Sequence, residues 1–475
     1  MQRLISCLIA LSFVLALQAH PWKPNHYVII DTDGGTDDMK SISLMLASPD
    51  VRVLAIIVSP GSLDAEKAYI KIRSLLNSYY HEGIPVGINR NSLFKSPDFP
   101  MAIDYLWGDE AGIDPSKASD CIDLIRNIFS YEKTKISFIC LGSLSTAERA
   151  MKEIPEFRTA VKEIVWSCKG LKDKKGFNYT INRSSAEKIL YGIIPVRAVY
   201  SDDQIKFYDG ETLAGMDSIN SPYAKKIGVF QNFSNSKDHQ FSYYLNDELV
   251  ALYLHFPDAF KQEASGANSD CKPVNWTVLK SGFLKILKGE TVMKNQVIKD
   301  LPSDPSFYFP DVEPYVKDII NSYGESEWAA GVLANELHRH LGVFAIIGVK
   351  MGIRAREYFD TGVDEFRAMS RAGSEPPLSC MNDGLQVSTG ATPGHGLLTV
   401  VNDTITRPVA EFTYMNHRIR LTLKPEIAAK ISSELKEINF VYGLDSNIYW
   451  ELVRKNSLKY WKELDRHNIF IIERL

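Results

Sequence analysis

The sequence predicts an open, mostly parallel α/β sheet, followed by a smaller α+β unit and a helical tail. Residues 27–30, 51–58 and 136–141 are apolar and rich in β-branched side chains, as expected of strands that are buried on both faces of a parallel sheet. Segments with helical spacing, such as residues 39–47, separate these strands. Strands that alternate with helices form parallel sheets, and the ligand sites of such sheets lie at the carboxyl ends of the strands.

The length of the chain indicates more than one globular unit. With 475 residues it exceeds the usual size of a single domain. Changes of pattern divide the chain into a signal peptide at 1–19, an α/β unit at 25–262, a linker with short helices at 263–327, an α+β unit at 328–425 and a helical extension at 426–475.

The predicted α+β unit has a pattern of its own. We expect it to begin with one long helix over residues 328–359, because apolar residues recur there at helical spacing. The strand-like runs that follow this helix are at residues 385–389, 396–401, 410–413 and 419–423.

The N-terminus has the features of a secretory signal. Arg3 precedes an apolar stretch at 4–17 that is too short to span a bilayer comfortably, and Ala19 offers a small residue for cleavage. We therefore expect an exported protein, either periplasmic or secreted. Of the six cysteines, Cys7 lies in this segment, and the other five are scattered without a CxxC pair, which argues against a disulfide scaffold or a zinc ribbon.

Charge and hydropathy restrict the class of partner. The formal net charge is −4 and the isoelectric point is near 6.2, which argues against nucleic acid or an anionic membrane as the main partner. No stretch beyond the signal is long and apolar enough to cross a membrane. A small polar molecule is the partner that remains.

Four carboxylates follow the first predicted strand within eight residues: Asp31, Asp33, Asp37 and Asp38. Crowded carboxylates raise each other's pKa unless a cation or strong hydrogen bonds hold them. Oxygen ligands favour calcium or magnesium over zinc, and the two glycines in this loop let the backbone turn tightly. The alternative is a solvated turn with an acidic helix cap.

Residues 28–47 resemble the opening of the inosine–uridine nucleoside hydrolase family, whose signature is a DxDxGxDD loop after the first strand. The resemblance implies that Asp33 is both metal ligand and general base, that Asp38 is a metal ligand, and that Asp37 binds a ribose hydroxyl. Asp31 would have a supporting role. Phosphatases of the haloacid dehalogenase type begin with DxDGT, but the extra glycine and the paired acids here fit the hydrolase better.

Three later segments resemble the same family, and the resemblance covers residues 27–260. The letters LGSLST resemble the GPLTN turn, which implies that the backbone carbonyl of Ser145 completes the metal shell. The letters GFN resemble the EFN segment and imply that Asn178 binds ribose. The letters LNDELVALY resemble the HDPLAVAY helix start and imply that Asp247 is the last metal ligand. Calcium is the ion that this family implies.

The implied chemistry is hydrolysis of the bond between ribose and a base. Such a reaction passes through an oxocarbenium-like state, and a metal-activated water attacks the anomeric carbon after a carboxylate has removed its proton. Trp166, at a strand end, is a candidate to stack on the base, with burial in the core as the alternative.

The recognition residues depart from the family pattern. Asn246 stands where many members have the histidine that protonates the departing base, and an amide cannot deliver a proton. Ser62 stands where a ribose-binding asparagine is expected. Three explanations stay open: another group such as His239, Tyr243 or Tyr244 assists the base, the substrate is a riboside with a better leaving group, or the protein binds ribosides without cleaving them.

A second resemblance covers about a hundred residues of the α+β unit. The letters HRHLG at a helix start and the later run CMNDGLQVSTGATPG resemble the FmdE-like domain, whose members have metal-binding cysteines and histidines. The resemblance implies a zinc site with an open position at His338, His340 and Cys380. The alternative is a degenerate fold with structural histidines. This unit would stabilise, assemble or regulate the catalytic one, and a homo-oligomer stays open.

The expectation from the sequence is an exported, calcium-dependent N-glycoside hydrolase that acts on ribonucleosides or related ribosides. The rival expectation is a ribose-binding protein that keeps the metal site with altered specificity or without turnover, because Asn246 replaces the usual histidine.

Overall fold

The computed structural model describes residues 23–91, 94–97, 99–172, 174–237, 243–291, 297–298 and 300–475. The predicted signal peptide and the candidate His239 lie outside the described residues. In the part of the chain that is described, no helix combines the length and the apolar character that a membrane span requires.

The N-terminal unit is built on a nine-stranded sheet with the strand order β4-β3-β2-β1-β5-β6-β7-β9-β8. Every neighbouring pair is parallel except β8 and β9, which form an antiparallel edge. The strands are β1 (His26–Thr32), β2 (Val51–Val58), β3 (Val86–Ile88), β4 (Ser119–Asp120), β5 (Ile136–Cys140), β6 (Val161–Ser167), β7 (Val196–Val199), β8 (Phe260–Ser265) and β9 (Asn268–Pro273).

Helices pack against this sheet and bury its central strands. Val28, Ile29 and Ile30 of β1 have no exposed surface, which explains the apolar character of the segment. The helices are α1 (Thr36–Ala47), α2 (Ala65–Ser78), α3 (Pro100–Asp104), α4 (Cys121–Tyr131), α5 (Ser145–Glu153), α6 (Phe157–Ala160), α7 (Phe177–Ile181), α8 (Arg183–Leu190), α9 (Gly210–Asp217), α10 (Pro222–Ser236), α11 (Glu248–His255) and α12 (Trp276–Leu287).

The C-terminal unit is α+β, with helices packed on a five-stranded sheet of order β11-β10-β12-β13-β14. Its elements are α13 (Glu313–Tyr323), α14 (Glu325–His338), α15 (Val343–Phe359), β10 (Arg367–Ser370), α16 (Met381–Thr389), β11 (Leu398–Val400), β12 (Val409–Tyr414), β13 (His417–Leu423), α17 (Pro425–Tyr442), α18 (Asn447–Glu463) and β14 (Phe470–Arg474). The predicted fold class, with a mostly parallel sheet followed by an α+β unit, is confirmed.

Several predicted elements differ from the structure. The expected strand at residues 385–389 is part of helix α16, which packs closely on α15: a Cβ at Gly384 would lie 2.0 Å from the Ala345 carbonyl oxygen. The expected long helix at residues 328–359 is two helices, because Arg339 takes a left-handed conformation after α14.

The predicted unit boundaries also shift. Residues 263–327 were expected to be a linker, but β9 pairs with β7 and α12 packs in the N-terminal core, so the first unit continues past residue 262. Residues 426–475 were expected to be a helical extension; α17 and α18 confirm the helices, but the segment ends in β14, which pairs with β13. The tail therefore belongs to the C-terminal sheet.

The two units contact each other through buried polar groups. Arg52, at the start of β2, is 3% exposed and donates through Nε to Glu365 Oε2 at 2.9 Å. Arg354, in the C-terminal unit, donates through Nη2 to Oε1 of Glu82 in the N-terminal unit at 2.6 Å. These bonds attach the C-terminal unit to the opposite end of β2 from the acidic loop.

Candidate active site

The acidic loop lies where β1 ends, at the carboxyl edge of the sheet. Asp31 is the buried support of this loop: it accepts hydrogen bonds from the hydroxyls of Thr146 at 2.9 Å and Ser59 at 3.3 Å. Burial raises the pKa of Asp31 well above its usual value. Asp31 is not among the described residues that line the cavity beside the loop, which agrees with the supporting role implied for it.

Six of the predicted site residues meet in one cavity of about 250 Å³: Asp33, Asp37, Asp38, Asn178, Asn246 and Asp247. The acidic loop forms one side, and Asn178 and Asp247, which are remote in sequence, reach the same space. Ser62 and Asn246, the two positions that depart from the family pattern, also line it. The carboxyl ends of β1, β6 and β7 converge here, as the topology of a parallel sheet requires.

Three acids form a compact group in this cavity. Asp37, Asp38 and Asp247 each offer a carboxylate oxygen within 4.8 Å of the others. Burial raises the pKa of all three groups, and the neighbouring carboxylates raise those of Asp38 and Asp247 further. Asp37 was expected on a ribose hydroxyl, and the structure places it with Asp38 and Asp247, two of the four expected metal ligands. Three oxygen donors at this spacing suit a hard divalent cation.

Asp33 lies beside this group without being part of it. It is buried, and Ser62 donates hydrogen bonds to it. Its Oδ1 has no hydrogen-bond partner among the described residues, and Oδ2 lies against the backbone, since a Cβ at Gly61 would come within 2.2 Å of it. Burial raises the pKa of Asp33 to about 6. An unpaired buried oxygen of this kind fits a role toward water or a cation.

Local bonds fix the direction of the acids. The hydroxyl of Thr32 donates to Asp38 Oδ1 at 2.6 Å, and the backbone N–H of Asp33 donates to the same oxygen at 3.3 Å. Asp37 and Asp38 lie in the first turn of α1, where the positive end of the helix dipole favours carboxylates. Groups of the loop itself therefore orient Asp38.

Asn178 is held with its oxygen free. Its Nδ2 donates to the carbonyls of Leu141 at 2.6 Å and Ser167 at 2.9 Å. Both donor positions of the amide are used, so Oδ1 is left to accept from a ligand hydroxyl in the cavity. This geometry fits the ribose contact that the sequence implied.

Two predicted site residues lie elsewhere. Ser145 starts helix α5 and lines a separate polar cavity with Asn89, whereas Leu141, at the end of β5, lines the acidic cavity in its place. Trp166 is 1% exposed and donates its indole N–H to the carbonyl of Gly142 at 2.9 Å. Trp166 is a core residue and does not reach the cavity.

The sequence did not identify several cavity residues, among them a lysine, a tyrosine and a phenylalanine. Lys169 follows the end of β6, Tyr200 follows the end of β7, and Phe177 starts α7. The rule that ligands bind beyond the carboxyl ends of strands would have identified the first two. Phe177 is 37% exposed, lines the cavity, and makes edge contacts with Phe94 and Phe99 outside it.

The predicted second metal site is not assembled. Among the described residues, the donor atoms of His338, His340 and Cys380 do not come within 4.8 Å of one another as a set. Instead, His338 Nδ1 pairs with Asp383 Oδ2 at 2.7 Å, and the two histidine rings pack with centroids 4.1 Å apart. The left-handed turn at Arg339 directs these rings toward each other. Burial raises the pKa of the Cys380 thiol to about 11.

Comparison with known proteins finds relatives of both units. Among curated proteins, the chain is similar to probable uridine nucleosidase 1 of Oryza sativa subsp. japonica, with 26% identity over 147 residues, 29% of this chain and 45% of that protein. It is also similar to the pyrimidine-specific ribonucleoside hydrolase RihA of Klebsiella pneumoniae subsp. pneumoniae, with 25% identity over 187 residues, 36% of this chain and 58% of that protein. The chain spans about half the length of these curated relatives.

A solved purine-preferring ribonucleoside hydrolase from Gardnerella vaginalis is 14% identical, with a TM-score of 0.45 over 56% of this chain and 99% of that chain. Residues 337–441 match the family model described as FmdE, Molybdenum formylmethanofuran dehydrogenase operon. Residues 28–303, more than half of the chain, match the model described as Inosine-uridine preferring nucleoside hydrolase. The chain therefore belongs to the inosine-uridine preferring nucleoside hydrolase family and carries an FmdE-like unit behind the hydrolase unit.

Proposed function

We propose that this protein is an exported N-glycoside hydrolase that cleaves ribonucleosides or related ribosides and depends on a divalent cation, with calcium preferred. The observation that carries the proposal is the meeting of Asp37, Asp38 and Asp247 beside Asp33 and Asn178 in one cavity. The names of the curated relatives, which include a nucleosidase and a ribonucleoside hydrolase, agree with this reaction.

The acids fit a cation by the chemistry of their donors. Asp37, Asp38 and Asp247 would hold it, and calcium accepts such oxygen ligands in flexible geometries. A bound cation would supply a water of lowered pKa and a point of attachment for sugar hydroxyls. Burial raises the pKa of all three acids, and repulsion between neighbouring carboxylates raises those of Asp38 and Asp247 further; a bound cation would relieve that repulsion.

Asp33 is the general base of the proposed reaction. Its unpaired Oδ1 accepts the proton of the attacking water. The water oxygen then forms a bond to the anomeric carbon while the C–N bond breaks. The electron pair of that bond leaves with the nucleobase. Asn178 Oδ1 holds the sugar by accepting a hydrogen bond from one of its hydroxyls.

The leaving group must take its proton from solvent or from a group other than Asn246, because an amide donates only a hydrogen bond. Tyr243 and Tyr244, the helpers expected from the sequence, are not among the described residues that line the cavity. Phe177 offers a face or edge for stacking on the base. These features favour ribosides whose leaving group departs easily.

The test uses two kinds of substrate. The full chain with calcium is incubated with a panel of nucleosides and with a nitrophenyl riboside, whose phenolate needs no proton to leave. We expect sugar release from the nitrophenyl riboside and from part of the panel, loss of both in Asp33→Asn, and no change in the exposed control Asp114→Asn.

A second candidate function is ribose binding without turnover, which the replacement at Asn246 favours. Equilibrium dialysis with the same nucleosides separates the two functions. Binding without sugar release from any substrate, including the nitrophenyl riboside, would support the binding protein and contradict the hydrolase.

A further inference from the structure

Two buried side chains behind the cavity connect the elements that deliver its acids. Helix α1 carries Asp37 and Asp38 in its first turn, and Asp247 immediately precedes α11. Lys40, one turn into α1, places Nζ 2.5 Å from Oε1 of Glu248, the first residue of α11. Their side chains are 3% and 0% exposed, and neither is among the described residues that line the cavity.

Further bonds fix this pair in place. Oε1 of Glu248 also accepts the hydroxyl of Tyr208 at 2.8 Å, and Oε2 accepts the backbone N–H of Asn246 at 3.1 Å. The ammonium of Lys40 lies 4.7 Å from the centre of the Tyr208 ring. A second hydrogen bond joins the same two elements: the Ser41 hydroxyl donates to the backbone carbonyl of Asp247 at 2.8 Å.

The acids of the cavity repel one another, so the elements that carry them are pushed apart unless something holds them. The Lys40–Glu248 ion pair joins α1 to α11 directly. Because the pair is buried, solvent and salt screen it only weakly. A site that is already assembled before the cation arrives loses less free energy on binding than one that must be drawn together.

We propose that Lys40 and Glu248 are positioning residues for the cation, which they serve by holding Asp37 and Asp38 at a fixed distance from Asp247. This inference rests on the cation dependence in the proposed function. The pair acts through the carboxylates and touches neither the cation nor the sugar. Its removal weakens cation binding beyond any general loss of stability.

The test compares two buried ion pairs of the same chain. The first variant is Lys40→Met/Glu248→Gln, which removes both charges and keeps a side-chain oxygen for Tyr208. The matched control is Lys350→Met/Glu327→Gln in the C-terminal unit, where the native pair is also 2.5 Å apart and 0% exposed on both sides. Calcium affinity is measured by isothermal titration calorimetry on each full-length protein, and stability by thermal denaturation without the ion.

We expect both double variants to lose stability and only the first to bind calcium at least tenfold more weakly. Equal affinity in the first variant and wild type would overturn the inference and leave the proposed function intact. A wild-type protein that binds no calcium would instead contradict the cation dependence itself.

A second variant covers the case in which the first does not fold. Glu248→Asp keeps the charge and shortens the side chain by one methylene. We expect it to bind calcium several-fold more weakly, because the fixed distance changes while the charge does not. Wild-type affinity in Glu248→Asp would count against positioning.

Discussion

Removal of the cation should make the stability of the protein fall as pH rises, and the structure gives the size of the effect. Burial raises the pKa of Asp33 to about 6 from 3.8. Between these values the folded protein binds more protons than the unfolded chain, so the free energy of unfolding decreases with rising pH and stays low above about 6. The difference of about two pH units corresponds to about 3 kcal/mol. Asp38 and Asp247 shift in the same direction.

Thermal denaturation with chelator and with excess calcium measures this effect at several values between about pH 5 and about pH 8. Only about one of these two pH units lies above about pH 5, so the free energy of unfolding falls by about 1.4 kcal/mol over the measured range, which lowers Tm by roughly 3–6 °C in a domain of this size. We expect the chelated protein to lose that much across the range, and calcium to remove most of the loss because the ionised acids are then neutralised. The variant Asp33→Asn should show a smaller slope than wild type. A chelated protein as stable at about pH 8 as at about pH 5 would refute the reasoning.

Three further predictions test the site and its surroundings. Phe177→Ala should raise KM for nucleosides about tenfold with little change in kcat, because a stacking face is lost; steady-state kinetics decides this. Trp166→Phe should lower the free energy of unfolding by about 1 kcal/mol, measured by urea denaturation, and leave KM unchanged, since the indole is a core group. Burial raises the pKa of Glu357, but His467 and Arg466 outweigh it and hold the pKa at about 2. Glu357 should therefore contribute about 3 kcal/mol to the free energy of unfolding above pH 4.5, and this contribution is lost as pH falls toward 2. In Glu357→Gln, the free energy of unfolding, measured by urea denaturation at several pH values, should depend less on pH in this range.

The parts of the site that the sequence predicted are those encoded by short contiguous patterns. The acids of the loop follow a buried strand and precede a helix, so their position at the sheet edge follows from chain order alone. Asp247 and Asn178 were placed by resemblance, because nothing in their local pattern connects them with a loop more than a hundred residues away. Their meeting in one cavity depends on the whole sheet.

The failures come from details that depend on three-dimensional packing. Ser145 and Leu141 belong to one turn, and only the point where β5 ends and α5 begins decides which of them faces the acids. Likewise, residues 385–389 have an apolar alternation typical of a strand, yet Gly384 allows close contact between helices, and tertiary packing overrides the local preference. His338 and Cys380 match a metal motif, but the match does not specify the backbone that would bring them together.

The buried guanidinium of Arg52 has a consequence for how this protein can be dissected. Its counter-charge, Glu365, belongs to the other unit, so each half of the molecule lacks a group that the other supplies. In an isolated hydrolase fragment, the Arg52 guanidinium would either become exposed to solvent or stay buried without a counter-charge, and the second case would cost several kcal/mol of stability. Either unit, expressed alone, would therefore need its half of this contact replaced by an uncharged group.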